Sequence, residues 1–337
     1  MIITKTPLRI SFLGGGTDYP EHFHQHGGQT LGVAIDKYSY AIVNPLAKLF
    51  DYKIRVSYSR TELVAKVDQI VHPAVKGCLQ LLELPGDLEI HYVGDLPART
   101  GLGSSSSFTV GLLHALHAAK GELVSPTRLA EEAVYVEQHL LQERVGVQDQ
   151  YICALGGLIN LKFRPDGSIE QNPVPLSAQR MADLQSNLML FYTGINRYAH
   201  QILDEQIQRT KQGANAGDLN YLSSLVDQGL DILTNGHSIT AFGELLHSGW
   251  QAKRRLSSKI SSQVIDNYYD QAREAGAIGG KLLGAGGGGF LLLFVPPSKG
   301  ERVEAALSGL KKVDFSFDNS GTTLMFYQPL QGKQGHS

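Results

Sequence analysis

The chain has 337 residues, 42% of them hydrophobic, and its 30 Lys plus Arg stand against 32 Asp plus Glu for a formal charge of −2. That length exceeds the size at which one hydrophobic core usually stops growing, so two domains are expected. The balanced charge offers no broad basic face for nucleic acid and no footprint for an acidic membrane, and Cys78 and Cys153 are too few to staple a secreted domain.

Met1 to Phe12 carries Lys5, Pro7 and Arg9 among its apolar residues, so no signal-peptide core is expected there, and no apolar stretch approaches membrane-spanning length. A reduced, cytoplasmic protein without a nucleic-acid or membrane partner fits best. From Thr6 to Leu13 the residues Leu8, Ile10 and Phe12 alternate with Arg9 and Ser11, the period of a strand with one buried face, which points Arg9 away from the core. The strand runs into Gly14-Gly15-Gly16, the first of three glycine clusters; the others span 101–103 and 284–289. They lie far apart in non-repeating surroundings and are not linker. His22, His24 and His26 are closely spaced, but no Cys or carboxylate set completes a metal site, and a solvated loop is expected. Further strands are expected around Gln29 to Pro45, Tyr52 to Tyr58 and Leu88 to Val93.

Pro97 to Phe108 reads PARTGLGSSSSF, a glycine loop feeding a helix that is apolar nearly all round to Lys120. Small residues let backbone amides approach an anion, and the first amides of a helix are unpaired and electropositive, so the segment reads as a phosphate cradle. The plainer alternative is a serine-rich helix cap after a tight turn. It is not a Walker loop, because Gly103-Ser104-Ser105 stand where Gly-Lys-Ser/Thr would be. A second helix opens at Ser125-Pro126, with Leu129, Ala133, Val136 and Leu140 on one face. Glu137 lies beside Ala133, Val134 and Leu141 at helical spacing, which leaves its carboxylate partly buried and in want of a partner. In GVQDQYICALGG, Gly146 to Gly157, Asp149 taken alone reads as a helix-capping loop acid.

Past about residue 180, LMLFYTG is an expected strand, and YTGINRYAH sets Arg197 just after it. Polar helices follow to about Ala275, with a break at Gly213 to Gly217. Then come GGKLL, the third glycine cluster, the apolar run FLLLFV, a helix from about Lys299 to Leu310, and strands near Val313 to Phe317 and Thr322 to Tyr327. Gly284, Gly286 and Gly289 satisfy G-x-G-x-x-G, but a strand follows where the dinucleotide fingerprint opens a helix. The order is α+β and compatible with a ferredoxin-like second domain, with the boundary near residue 180, giving 1–180 and 181–337.

Three segments resemble the signature motifs of the GHMP kinases, the superfamily of galactokinase, homoserine kinase, mevalonate kinase and phosphomevalonate kinase. They are PLRISFLGGGTDYP at Pro7 to Pro20, PARTGLGSSSSF, and KLLGAGGGGF at Lys281 to Phe290. Together they span nearly the whole chain, and the GGGTD ending is closest to the heptose-phosphate kinase and fucokinase branch. The resemblance implies an N-terminal ribosomal-protein-S5-like domain, a ferredoxin-like C-terminal domain, and transfer of the ATP γ-phosphate to a sugar. The first acceptor it suggests is the anomeric hydroxyl of D-glycero-D-manno-heptose 7-phosphate, giving the 1,7-bisphosphate; a fucokinase-like or other anomeric sugar kinase is the second. A catalytically silent sugar- or nucleotide-binding sensor is the alternative of another class.

The resemblance also assigns roles. ATP would lie over Pro97, Gly101, Leu102, Gly103, Ser104, Ser105 and Ser106. Asp149 would take or orient the hydroxyl proton, and Arg9 would hold Asp149 ionised and offset charge in the transition state, unless it is a surface ion pair. Magnesium would be held by Ser105 and Glu137, although a salt bridge would satisfy Glu137 equally well. Gly16, Thr17 and Asp18 would bind sugar hydroxyls, or Thr17 and Asp18 would merely form a turn, and Arg197 could meet a substrate phosphate. Cys78 and Cys153 read as buried thiols. Oligomeric state is not set by the sequence; a homodimer is one option.

Overall fold

Residues 1–195 and 199–329 are described by the computed structural model, with the side chains of 199–203 outside the described set. The alternating segment expected at Thr6 to Leu13 is the second half of a longer strand, β1 (Ile2–Leu13), and it is buried without interruption from Thr6 onward. Arg9, expected to point away from the core, is therefore only 3% exposed. Alternation separates the two faces of a strand but does not say what covers the second one. Here Leu8, Ile10 and Phe12 join a core shared with the C-terminal half, while helices Ser104–Lys120 and Gln148–Leu155 pack on β1 as well.

Beside β1 runs β2 (Gly28–Pro45), antiparallel, which pairs in turn with β5 (Leu88–Gly94). The sheet continues through β3 (Ile54–Ser57), parallel to β5, to β4 (Thr61–Val64). The other half of β2 pairs with β6 (Leu158–Phe163), and β6 with β7 (Ile169–Pro173). Helix Ser104–Lys120 lies across β1 and β2 and is buried along most of its length, as its apolar composition requires. Helix Pro126–Tyr135 starts where expected, the Ser125 side chain accepting from the Arg128 N–H. It then widens into a π-helical turn, Val136–Leu140. That turn breaks the helical period, so Leu140 leaves the apolar face and is 38% exposed.

The second sheet comprises β8 (Leu188–Tyr192), β9 (Gly279–Leu282), β10 (Phe290–Phe294) and β11 (Lys311–Lys312), in the order β11-β8-β10-β9 and antiparallel throughout. With helix Gly300–Ala306 between β10 and β11, this is the ferredoxin-like strand plan, its first crossover enlarged to helices Ala199–Lys211, Ala216–Thr234, Thr240–Arg255 and Gln263–Ala275. The expected strand at Val313 to Phe317 does not form; Phe317 makes only a single bridge to Ile35. The last strand, β12 (Thr323–Tyr327), returns to the first sheet and pairs antiparallel with β1. The chain thus has the two-domain architecture of an S5-like unit and a ferredoxin-like unit. Its three histidines at 22, 24 and 26 lie on a helix, Pro20–His26, rather than in a loop, and His22 is buried. Cys78 and Cys153 are both buried and free. Among the described residues no helix is long and apolar enough to cross a membrane.

Candidate active site

Gly101 and Gly103 hold φ of 86° and 74°, a left-handed backbone that glycine adopts without steric cost, and Gly103 is the residue from which helix Ser104–Lys120 starts. The backbone N–H of Arg9 donates to Leu102 O at 3.0 Å, so β1 and this loop are stitched together. A second glycine loop closes on the first from the C-terminal half. A Cβ on Gly101 would lie 2.4 Å from Leu283 O, and one on Gly284 would lie 2.5 Å from Gly101 Cα. Only glycines permit this approach.

Between the loops opens a cleft of about 910 Å³. Gly101, Gly103, Ser104, Ser105 and Ser106 line it, whereas Pro97 does not and Leu102 is turned fully into the core. Arg9 grips Asp149 with both prongs, Nε to Oδ1 at 2.7 Å and Nη2 to Oδ2 at 2.6 Å, and its Nη1 donates to Gly101 O at 2.7 Å. Burial opposes the Arg9 charge, but attraction to Asp149 and the hydrogen bonds between them outweigh it and raise the guanidinium pKa. This is no surface ion pair: the Arg9 side chain is 4% exposed, and that of Asp149 is 25% exposed toward the cleft.

Asp18 is 2% exposed, with Oδ1 accepting the Gly16 N–H at 3.0 Å and Oδ2 accepting Gln148 Nε2 at 3.0 Å. Burial, then the nearby Asp149 charge, push its carboxyl pKa up against those hydrogen bonds. Asp18 and Gly16 line the cleft; Thr17 does not. The Thr17 hydroxyl instead lies 2.8 Å from Gly14 O and 2.9 Å from Gln29 O, which locks the glycine turn to β2. Its candidacy as a sugar ligand gives way to the turn. Arg197 lies outside the described residues.

Glu137 comes to the serine helix by way of the π turn. Its Oε2 accepts Ser106 Oγ at 2.9 Å and also Gln150 Nε2, while Oε1 is buried without a hydrogen-bond partner. The partner is thus Ser106, not Ser105, which is exposed: helix geometry turns the neighbouring serine inward. Burial pushes the Glu137 carboxyl up to about 7 against the bonds from Gln150 and Ser106. Among the described residues no arginine or lysine pairs with it. An orphaned, buried carboxylate oxygen beside a cleft-lining hydroxyl suits a hard cation. Among the described residues no three His, Cys, Asp or Glu gather as a metal site; magnesium in general takes one or two protein ligands and completes its shell with phosphate oxygens and water. If Glu137 is such a ligand, Glu137→Gln should raise the magnesium concentration needed for half-maximal rate roughly tenfold or more and remove the magnesium-dependent rise in Tm. An unchanged magnesium titration would assign Glu137 to structure.

Two features escape a reading of the sequence. Tyr58, His72, Tyr92 and Phe108 line the cleft as an edge-to-face aromatic cluster, with ring centroids 4.7 Å apart for Tyr58–His72, 5.3 Å for His72–Phe108 and 4.8 Å for Tyr92–Phe108. An aromatic wall in the same cleft as an anion cradle suits a planar base attached to phosphates. Lys253 and Lys281, from the C-terminal half, also line the cleft although they are only 8% and 5% exposed.

Comparison with known proteins agrees with this architecture. Residues 69–157 match the GHMP kinases N terminal domain and residues 231–312 match the GHMP kinases C terminal model. The D-glycero-alpha-D-manno-heptose 7-phosphate kinase of Campylobacter jejuni is 27% identical over 339 residues, which cover 95% of this chain and 97% of that protein. The L-fucokinase/L-fucose-1-P guanylyltransferase of Bacteroides fragilis is 25% identical over 345 residues, 90% of this chain but 36% of that longer protein. Among solved structures, a D-glycero-D-manno-heptose 1-phosphate kinase from Bacteroides thetaiotaomicron superimposes with a TM-score of 0.77 at 22% identity, over 97% of this chain and all of that one, a likeness of fold.

Proposed function

The chain belongs to the GHMP kinases and is an ATP-dependent sugar kinase, and from that premise we propose that its acceptor is the anomeric hydroxyl of D-glycero-D-manno-heptose 7-phosphate. The observation that carries the catalytic part of this reading is the two-pronged Arg9–Asp149 pair, exposed on its carboxylate side to a cleft walled by two glycine loops. Phosphoryl transfer leaves little covalent work to a protein; it needs positioning, charge neutralisation and a group for the hydroxyl proton.

Asp149 takes or orients that proton, since it is a carboxylate at the cleft with lone pairs left over after its two bonds to Arg9. Arg9 cannot act as a base; anchored on Gly101 O, it fixes the carboxylate and offsets negative charge as it develops. Asp18 offers its remaining lone pairs to sugar hydroxyls. The serine helix N-terminus receives the nucleotide's phosphates, and the aromatic wall receives its base. Glu137 and Ser106 are the residues that would hold magnesium, which supplies charge neutralisation to the phosphates.

Heptose 7-phosphate as the acceptor is supported by the end-to-end similarity to the Campylobacter jejuni enzyme, together with the GGGTD ending of the first motif. Similarity to the fucokinase keeps a second reading, another anomeric sugar kinase. Intact Arg9, Asp18, Glu137 and Asp149 speak against a silent sensor. Coupled ADP release across a panel of sugars and sugar 7-phosphates tests the acceptor. Heptose 7-phosphate should exceed the unphosphorylated heptose and fucose by roughly tenfold or more in kcat/KM. A higher value for fucose transfers the assignment to the second reading, and binding without turnover on any sugar favours the sensor.

A further inference from the structure

Lys253 sits near the end of helix Thr240–Arg255, and Lys281 sits in β9. Neither charge has a carboxylate partner among the described residues. The Lys253 Nζ donates to Gly284 O, and the Lys281 Nζ donates to Phe12 O at 2.9 Å; among the described residues no carboxylate comes within ion-pair distance of either. The two carboxylates near them are already engaged, Asp149 by Arg9 and Asp18 by Gly16 and Gln148. Burying an ammonium without a countercharge is costly, and such a surplus in a cleft marks the place of an anion.

The anchors of the two cations show where that anion lies. Arg9 holds the carbonyl of Gly101, and Lys253 holds the carbonyl of Gly284; these two glycines are the ones that touch where the loops meet. One cation from each half therefore flanks the same seam, with Asp149 beside it. We propose that Lys253 is a further catalytic residue, which donates a hydrogen bond to the phosphoryl group in flight, and that Lys281 is the positioning residue behind it. This rests on the kinase reading above. In the step, the acceptor oxygen forms a bond to the γ-phosphorus, the bond from that phosphorus to the β,γ-bridging oxygen breaks, ADP leaves with the electron pair, and the hydroxyl proton passes to Asp149. Lys253 exchanges nothing; it neutralises charge on the equatorial oxygens as Arg9 does from the other side. A phosphate at the far end of a seven-carbon sugar lies away from the reacting hydroxyl, whereas Lys253 and Lys281 are grouped with Arg9 and Asp18.

Burial, then the Arg9 charge, pull the Lys253 ammonium down to about 8, with Asp18 and Asp149 opposing; burial, then the neighbouring Lys253 and Arg9 charges, pull Lys281 down as well. The protonated form is the active one, so kcat/KM for ATP should fall as pH rises through about 8. The test compares wild type, Lys253→Met and Lys253→Arg, by steady-state kinetics in both substrates and by binding of a non-hydrolysable ATP analogue. Lys253→Met should lower kcat roughly 10²–10³-fold, with acceptor KM and analogue affinity close to wild type. Lys253→Arg should keep more activity and lose the fall above pH 8, because arginine stays charged. If acceptor KM rises while kcat holds, the site belongs to the acceptor's own phosphate and the proposal fails. Wild-type kinetics with only a lower Tm would make Lys253 structural and overturn it equally. Should Lys253→Met not fold, the alkaline limb of Lys253→Arg decides: a fall unchanged from wild type contradicts the proposal. Absence of kinase turnover in wild type would instead strike the reading on which it rests.

Discussion

Asp149→Asn is expected to lower kcat roughly 10²–10⁴-fold while nucleotide affinity stays near its original value, the range that a positioned proton acceptor contributes. Asparagine keeps the size of aspartate and one acceptor oxygen, so the cleft keeps its shape. What it loses is the charge and one of the two acceptors that Arg9 now meets at 2.7 and 2.6 Å; an amide N–H would face a guanidinium N–H. Arg9 cannot relax into water, being 3% exposed, so a buried charge loses its counterion. Removing one partner of a buried pair costs up to about 3–5 kcal/mol, and the partial exposure of Asp149 puts this case below that. The variant should therefore melt earlier as well, and its rate must be read well below its Tm. Near-normal turnover there would remove Asp149 from the chemistry.

The second large effect is expected at Gly101. Its φ of 86° costs a side-chain-bearing residue about 1–2 kcal/mol, and a new Cβ would lie 2.4 Å from Leu283 O and 2.7 Å from Leu283 C. Those are backbone atoms with no rotamer to swing aside, so the loops must part, at a further cost of about 1–3 kcal/mol. Gly101→Ala should thus destabilise the protein by about 2–5 kcal/mol, seen as a lower Tm, and weaken binding of an ATP analogue, because the Gly101 carbonyl also anchors Arg9. Unchanged Tm and affinity would mean that the loop seam is not what the geometry implies. Gly103 differs: a Cβ there would meet Arg9 Cγ at 3.1 Å and Asp149 Oδ2 at 3.4 Å, so substitution would press on the catalytic pair as well as on bound phosphate.

The glycine loops, the strand at β1, the buried serine helix and the ferredoxin-like strand plan are written in local composition and periodicity, which neighbours in sequence decide. The burial of Arg9 is not, because alternation divides two faces without naming what covers each. The choice of Ser106 over Ser105 hangs on about 100° of helix rotation, finer than any reading of where the helix begins. Thr17 could serve a sugar or a turn, and only the position of Gln29 O decides for the turn. Lys253 follows Trp250 and precedes Arg254 and Arg255 on a mixed helix, where a lysine ordinarily snorkels to water. The aromatic wall draws on four residues between positions 58 and 108 that share no pattern until the sheet and helices assemble.

Phosphorus NMR of the reaction with ATP and D-glycero-D-manno-heptose 7-phosphate tests the proposed activity most directly, because it reads the product's connectivity and not only ADP. A new phosphate ester on the anomeric carbon, formed beside the retained 7-phosphate and absent with Asp149→Asn, is the expected result. Binding of both ligands by the wild-type protein with no new ester on any sugar offered would contradict it.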